Sequence, residues 1–122
     1  MKNFEMDFVI LGIPYRLICD EKQFADACAE EGWLVTQAQG LHDASDLEDA
    51  KIYISPLLSP TQFVQVLFHE VLHVIGRIEG HKVFTDGTDQ SEAFVDGVAN
   101  GLVSFIQNAN IRNLIDRMLK GE

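Results

Sequence analysis

Within Phe68-His69-Glu70-Val71-Leu72-His73-Val74-Ile75-Gly76, three residues have the types and the spacing for metal-assisted chemistry. On an α-helix His69 and His73 stand one turn apart on nearly one face, so their ring nitrogens can meet a single small cation. Zinc needs such a meeting, at about 2.0–2.1 Å per nitrogen. Glu70 is rotated off the line of the rings. It can lean toward a water on the ion and take its proton without being a ligand itself. The plainer alternative is an apolar helix whose histidines are half-buried by accident and whose glutamate is solvated. A zinc site without catalysis is another.

A catalytic zinc commonly takes three protein ligands and keeps one position for water. Glu92 is the expected third ligand. It opens the next helical run, and Asp96 follows four positions later on the same face. Asp96 is expected to accept the outer ring N–H of His69 and fix that ring's orientation. The competing readings make Glu92 a cap of its own helix, since Asp89-Gln90-Ser91-Glu92 has capping-box spacing, and Asp96 a solvated carboxylate. Glu79 is a rival third ligand. The run His69-Glu70-x-x-His73-x-x-Gly76-x-x-Glu79 copies the metzincin spacing, with Glu where that family has His or Asp, and it requires Gly76 to break the helix. An oxyanion donor or substrate contact is expected from His81, Tyr53 or His42, and the spacing selects none of them.

The elements that must position these residues follow from periodicity. Residues 4–10 and 14–19 read as two strands joined by a turn at Leu11-Gly12-Ile13-Pro14. A short helix starts near Asp20 and ends at Gly32, with Phe24, Ala27 and Cys28 on one face. Trp33-Leu34-Val35-Thr36-Gln37 reads as a third strand. Gly40 to Ala50 reads as an acidic loop; its four carboxylates lack the EF-hand spacing, and His42 within it reads as an ordinary exposed histidine. Lys51-Ile52-Tyr53-Ile54-Ser55 alternates as a half-buried strand, with Ile52 and Ile54 facing the core, and is expected at a sheet edge beside the cleft.

Ser59-Pro60-Thr61-Gln62 is a helix start, with Ser as N-cap, Pro in the first turn and Gln three positions on. The helix should run to Gly76 or Gly80. Its apolar residues wrap most of the circumference and leave one polar stripe of Gln62, Gln65, His69, His73 and Gly76. A buried helix must satisfy such a stripe by a metal, a polar neighbour or a water-filled cleft. After a loop with a turn at Thr85-Asp86-Gly87, a helix from Glu92 to about Asn108 should bury Phe94, Val95, Val98, Leu102, Phe105 and Ile106. Ala93, Gly97 and Gly101 form a small-residue stripe that would let two helix axes approach closely. A last amphipathic helix covers Ile111 to Lys120.

Strands followed by helices indicate an α+β class: a small, mostly antiparallel N-terminal sheet packed on the histidine helix, a glutamate helix and a short C-terminal helix. The 122 residues suit one domain, and a hydrophobic share of 47% excludes global disorder. The net charge of −10 argues against nucleic acid or an anionic membrane as partner. No apolar run has transmembrane length, and Met1-Lys2-Asn3-Phe4-Glu5-Met6-Asp7 does not read as a signal peptide. Cys19 and Cys28 match no zinc-finger spacing and are expected as reduced thiols in a cytoplasm.

The chain resembles gluzincin-type zinc metallopeptidases. Thermolysin-like members pair His-Glu-x-x-His with a downstream Asn-Glu-x-x-Ser-Asp; here that second part reads Ser91-Glu92-Ala93-Phe94-Val95-Asp96, matching at the Glu and the Asp and departing at Ser91 and Val95. The compact layout from Lys51 onward is closer to the small phage and prophage proteins of the ImmA/IrrE and minigluzincin type. The resemblance implies a zincin-like fold and one zinc ion on His69, His73 and Glu92. It further implies hydrolysis of a peptide or protein substrate, such as a regulator, with Glu70 as general base, in the host cytoplasm if the gene belongs to a phage. A non-catalytic zinc-binding or protein-interaction domain that keeps this fold is the alternative, and a metal-free interaction module with an acidic surface is a third.

Overall fold

The computed structural model describes residues 3–85 and 87–121; Met1, Lys2, the Asp86 of the expected turn, and Glu122 lie outside the described residues. The fold is α+β, built from a four-stranded mixed sheet and four α-helices. Strands β1 (Phe4–Ile10) and β2 (Ile13–Cys19) form an antiparallel hairpin. Its two-residue turn, Leu11-Gly12, holds both residues at positive φ, 48° and 82°. That backbone matches the right-handed strand twist; it is free for Gly12 and sterically costly for Leu11.

Helix α1 (Glu21–Glu30) is capped by the Asp20 carboxylate, which accepts from the Gln23 amide at 2.9 Å. The chain then returns through β3 (Gly40–Asp43) and β4 (Ala50–Ile54). Strand β4 pairs parallel with β2 on one side and antiparallel with β3 on the other, giving the order β1-β2-β4-β3.

This order corrects three expectations. The stretch Lys51–Ser55 is not a sheet edge; β4 is interior, and the edge belongs to β3. Part of the presumed acidic loop is that edge strand. Trp33–Gln37 is a turn, not a strand. The Gln37 side chain accepts from the Leu34 amide at 2.7 Å, and the Gln37 amide returns to the Leu34 carbonyl at 2.9 Å. Local bonds of this kind compete successfully where no sheet partner is on offer. Trp33, Leu34 and Val35 all remain exposed.

The core lies between the sheet and helix α2 (Pro60–Glu79). Ile10, Tyr15, Leu17, Ala50, Ile52 and Ile54 pack on Val66 and Val74, with Phe63, Leu67, Val71, Ile75 and Ile78 around them. Ile52 and Ile54 thus face inward, as their alternation requires. Helix α1 packs against β2 and β4 and brings Phe24 and Cys28 into burial. Both cysteines are free thiols with no exposed surface, and burial raises their pKa above the ordinary thiol value.

Helix α2 starts with the full capping box of Ser59 and Gln62, has Pro60 in its first turn, and ends at Gly80 in the left-handed region. A short 3₁₀ turn (Lys82–Phe84) leads to helix α3 (Asp89–Ile106). Helix α3 begins before Glu92, because the Thr88 side chain caps it by accepting from the Ser91 amide at 3.1 Å. Its buried stripe is Ser91, Val95, Ala99 and Val103. Of the six residues expected to be buried, only Val95 is fully so. Phe94, Leu102 and Phe105 are exposed. Gly97 and Gly101 also face open space rather than a second helix. Helix α4 (Ala109–Leu119) has no fully buried residue. Among the described residues no helix is long and apolar enough to cross a membrane.

Candidate metal centre

Helix α2 sets His69 and His73 one turn apart, and α3 crosses it with Glu92 in its first turn. The two Nε2 atoms are 3.0 Å apart. Glu92 reaches both, with Oε2 3.1 Å from His69 Nε2 and Oε1 3.1 Å from His73 Nε2. His69, His73 and Glu92 are the group able to hold a metal ion among the described residues.

The outer ring nitrogens decide what this triangle is. His73 Nδ1 faces the carbonyl oxygen of Phe84, and a carbonyl can only accept, so Nδ1 carries the hydrogen and donates. His69 Nδ1 likewise donates to Asp96 Oδ1 at 2.7 Å, the pairing expected from the sequence. In the neutral rings both Nε2 atoms therefore present lone pairs. Two lone pairs and a carboxylate converge within 3.1 Å. Such a set repels itself unless a proton or a cation sits among its members. Ligand atoms on a tetrahedral zinc stand about 3.3–3.4 Å apart at ordinary bond lengths. The donor set fits that ion after opening by a few tenths of an ångström.

The site has a firm floor and an open side. His73 and Glu70 are buried, whereas the Glu92 side chain is 44% exposed. Glu70 does not join the triangle. Its Oε2 accepts from His42 Nδ1 of β3 at 2.7 Å, and the His42 ring stacks on His73 with centroids 5.6 Å apart. The register His42↔Ile52 puts His42 on the face of the sheet that α2 covers.

Two glycines make these contacts possible. A Cβ on Gly40 would stand 2.6 Å from Val66 Cγ1 and 3.1 Å from Glu70 Cγ, so only glycine lets β3 seat against α2. A Cβ on Gly76 would stand 2.4 Å from Phe84 Cβ. Gly76 thus does not break α2, as the metzincin spacing would require; it admits the 3₁₀ turn whose Phe84 carbonyl holds His73. Ser91 Oγ pins the same turn by donating to the Val83 carbonyl at 2.6 Å.

The open cleft above the triangle is lined by Trp33, Gln37, Leu41, His42 and Arg77 together with His69, Glu70, His73 and Glu92. Of the three expected donors only His42 lines it. Tyr53 pairs in register with Ile18 and Leu41, on the opposite face from Ile52, and burial raises its hydroxyl pKa. His81 is exposed at the start of the 3₁₀ turn, its ring edge-on to Phe84. Glu79 is exposed at the end of α2, apart from the triangle.

Sequence reasoning undervalued His42 and did not place Trp33 at the cleft. The signal for His42 was the alternation of Gly40-Leu41-His42-Asp43, hidden by the surrounding carboxylates. For the Phe84 carbonyl there was none, since a backbone acceptor has no residue type. No protein-family model, no curated protein and no solved structure matches the chain.

Proposed function

We propose that the chain is a zinc-dependent peptidase of gluzincin type on a zincin-like fold. The observation that carries this is the convergence of two imidazole lone pairs and a carboxylate, each ring oriented from behind by its own acceptor. His69, His73 and Glu92 would hold one zinc ion. When bound, the ion supplies Lewis acidity, polarising the scissile carbonyl and lowering the pKa of water to about 7.

The remaining work falls to the chain's own residues. Glu70 takes the proton of the attacking water and passes it to the leaving amine. His42 holds the Glu70 carboxylate in place through its 2.7 Å bond. Asp96 and the Phe84 carbonyl keep the two rings in the tautomer that leaves Nε2 free. The free edge of β3 offers backbone groups onto which an extended peptide can add as a further strand. A cytoplasmic setting, in which the two buried thiols stay reduced, suits the same reading.

The His42–Glu70 bond also favours a second reading. A glutamate fully engaged by His42 would leave the ion as a staple between α2 and α3, in a protein that acts by binding. Two measurements separate the readings. Zinc should bind one ion per chain and raise the melting temperature, and Glu70→Gln should keep the ion while losing cleavage of an unfolded test protein such as casein. No bound zinc and no thermal shift would sink both readings. Wild-type cleavage by Glu70→Gln would remove Glu70 as the base.

A further inference from the structure

We infer that Trp33 is the specificity-determining residue of the cleft, a flat platform for a large apolar or aromatic side chain of the peptide; this rests on the zinc-peptidase reading above. Trp33 is the only tryptophan in the chain, and it is 45% exposed although it lines the same cleft as His69, Glu70, His73 and Glu92. The core does not use it. Large rings left half in water beside a polar centre are well suited to contact a ligand.

The backbone that carries the ring is held rather than loose. Helix α1 is anchored by the buried Phe24 and Cys28, Gly32 turns the chain at φ 75°, and the Trp33 amide donates to the Cys28 carbonyl at 2.9 Å. The Leu34–Gln37 bonds close the turn just after it. With the backbone already fixed, a stacking ligand has only the two side-chain torsions of Trp33 left to order.

The charge in the cleft leaves the choice of occupant to the ring. Glu31 and Arg77 line the same cleft. With one charge of each sign in the lining, neither an acidic nor a basic substrate side chain gains a net advantage, and the apolar ring face is what remains to discriminate. The other flank of the metal centre differs. There a hollow of about 400 Å³ is lined by Thr36, Gln37, Gln39, Gln65 and Asp96, with little apolar surface to offer. The two sides of a scissile bond would therefore be read differently, an aromatic or large aliphatic residue toward Trp33 and a polar one toward Gln65.

The test uses the full zinc-loaded chain and two small zinc-chelating probes, N-acetylglycine hydroxamate and N-acetylphenylalanine hydroxamate. Binding is followed by calorimetry and by the emission of Trp33. The benzyl compound should bind about tenfold tighter than the glycine compound, and it alone should shift the Trp33 emission. Trp33→Ala should bring the ratio of the two affinities close to one, and Trp33→Phe should keep most of it. Equal binding of both probes, or an unchanged ratio in Trp33→Ala, overturns the role of Trp33 and leaves the metal centre standing. Failure of both probes to bind the zinc-loaded chain removes the open, catalytic position on the ion, and the platform with it, and leaves the ion as a staple between the two helices.

Discussion

Gly76 on α2 and Gly97 on α3 are both helical glycines, yet a methyl group on the first would lie 2.4 Å from Phe84 Cβ and on the second would meet nothing within 4 Å. The same contrast runs along the two helices. Helix α2 is gripped by the sheet, by β3 at Gly40 and by the 3₁₀ turn at Gly76. Helix α3 buries fully only one narrow stripe, Ser91, Val95, Ala99 and Val103. The histidines accordingly sit on the rigid partner, each with a second hydrogen bond behind it, while Glu92 extends from the looser one. An ion at the triangle would join the firm half of the molecule to the less constrained half.

That comparison can be broken in four places. The largest effect is expected in the sheet–α2 core. Ile54→Ala should lose about 2–5 kcal/mol in urea unfolding, whereas Phe105→Ala on α3 should lose far less; equal losses would show that α3 is as tightly held as α2. Next, zinc at a hundredfold excess over its Kd should stabilise the wild type by about 2.7 kcal/mol. Glu92→Gln should abolish that gain and change the metal-free stability by less, since its side chain is 44% exposed. A full zinc shift in Glu92→Gln, read by calorimetric melting, would mean that α3 contributes no ligand.

A third, smaller pair tests the glycines directly. Gly76→Ala should destabilise by about 1–3 kcal/mol through overpacking, and Gly97→Ala should stabilise by up to about 1 kcal/mol through helix propensity. Shifts of the same sign in the two denaturation midpoints would refute the contrast. The smallest effect belongs to α4, where Leu119→Ala at an 83% exposed position should stay within about 0.5 kcal/mol of wild type.

The pairs His69/His73 and Glu92/Asp96 were legible in the sequence because helical spacing sets which side chains share a face, and the meeting of the two pairs was expected from zinc's need of a third ligand. The alternation of Ile52 and Ile54 gave their burial in the same way. What eluded the sequence depended on partners. The α3 run is apolar on more than one side, so periodicity could not choose between the Phe94, Leu102, Phe105 face and the Val95, Ala99, Val103 face. Packing chose the smaller residues, which let α3 lie close to α2. Trp33–Gln37 has strand formers but found no ladder, and a glutamine side chain closed it into a turn. Strand β3 is only four residues long and lies among carboxylates. Its place was set by the bare backbone at Gly40, whose reason is a clash with Val66 that no local pattern reveals.

The far strand of the sheet carries a different implication. β1 is a seven-residue outer strand with Phe4, Met6 and Val9 open to solvent, a length and texture that invite another chain to add on and start a fibril. Glu5 and Asp7 alternate with Phe4 and Met6 and share a face with Val9, and the whole molecule carries a charge of −10. Two copies approaching edge to edge meet like charge first. The barrier this charge raises against edge-to-edge pairing is electrostatic, so added salt should lower it, and dilute buffer should keep the protein dispersed better than concentrated salt.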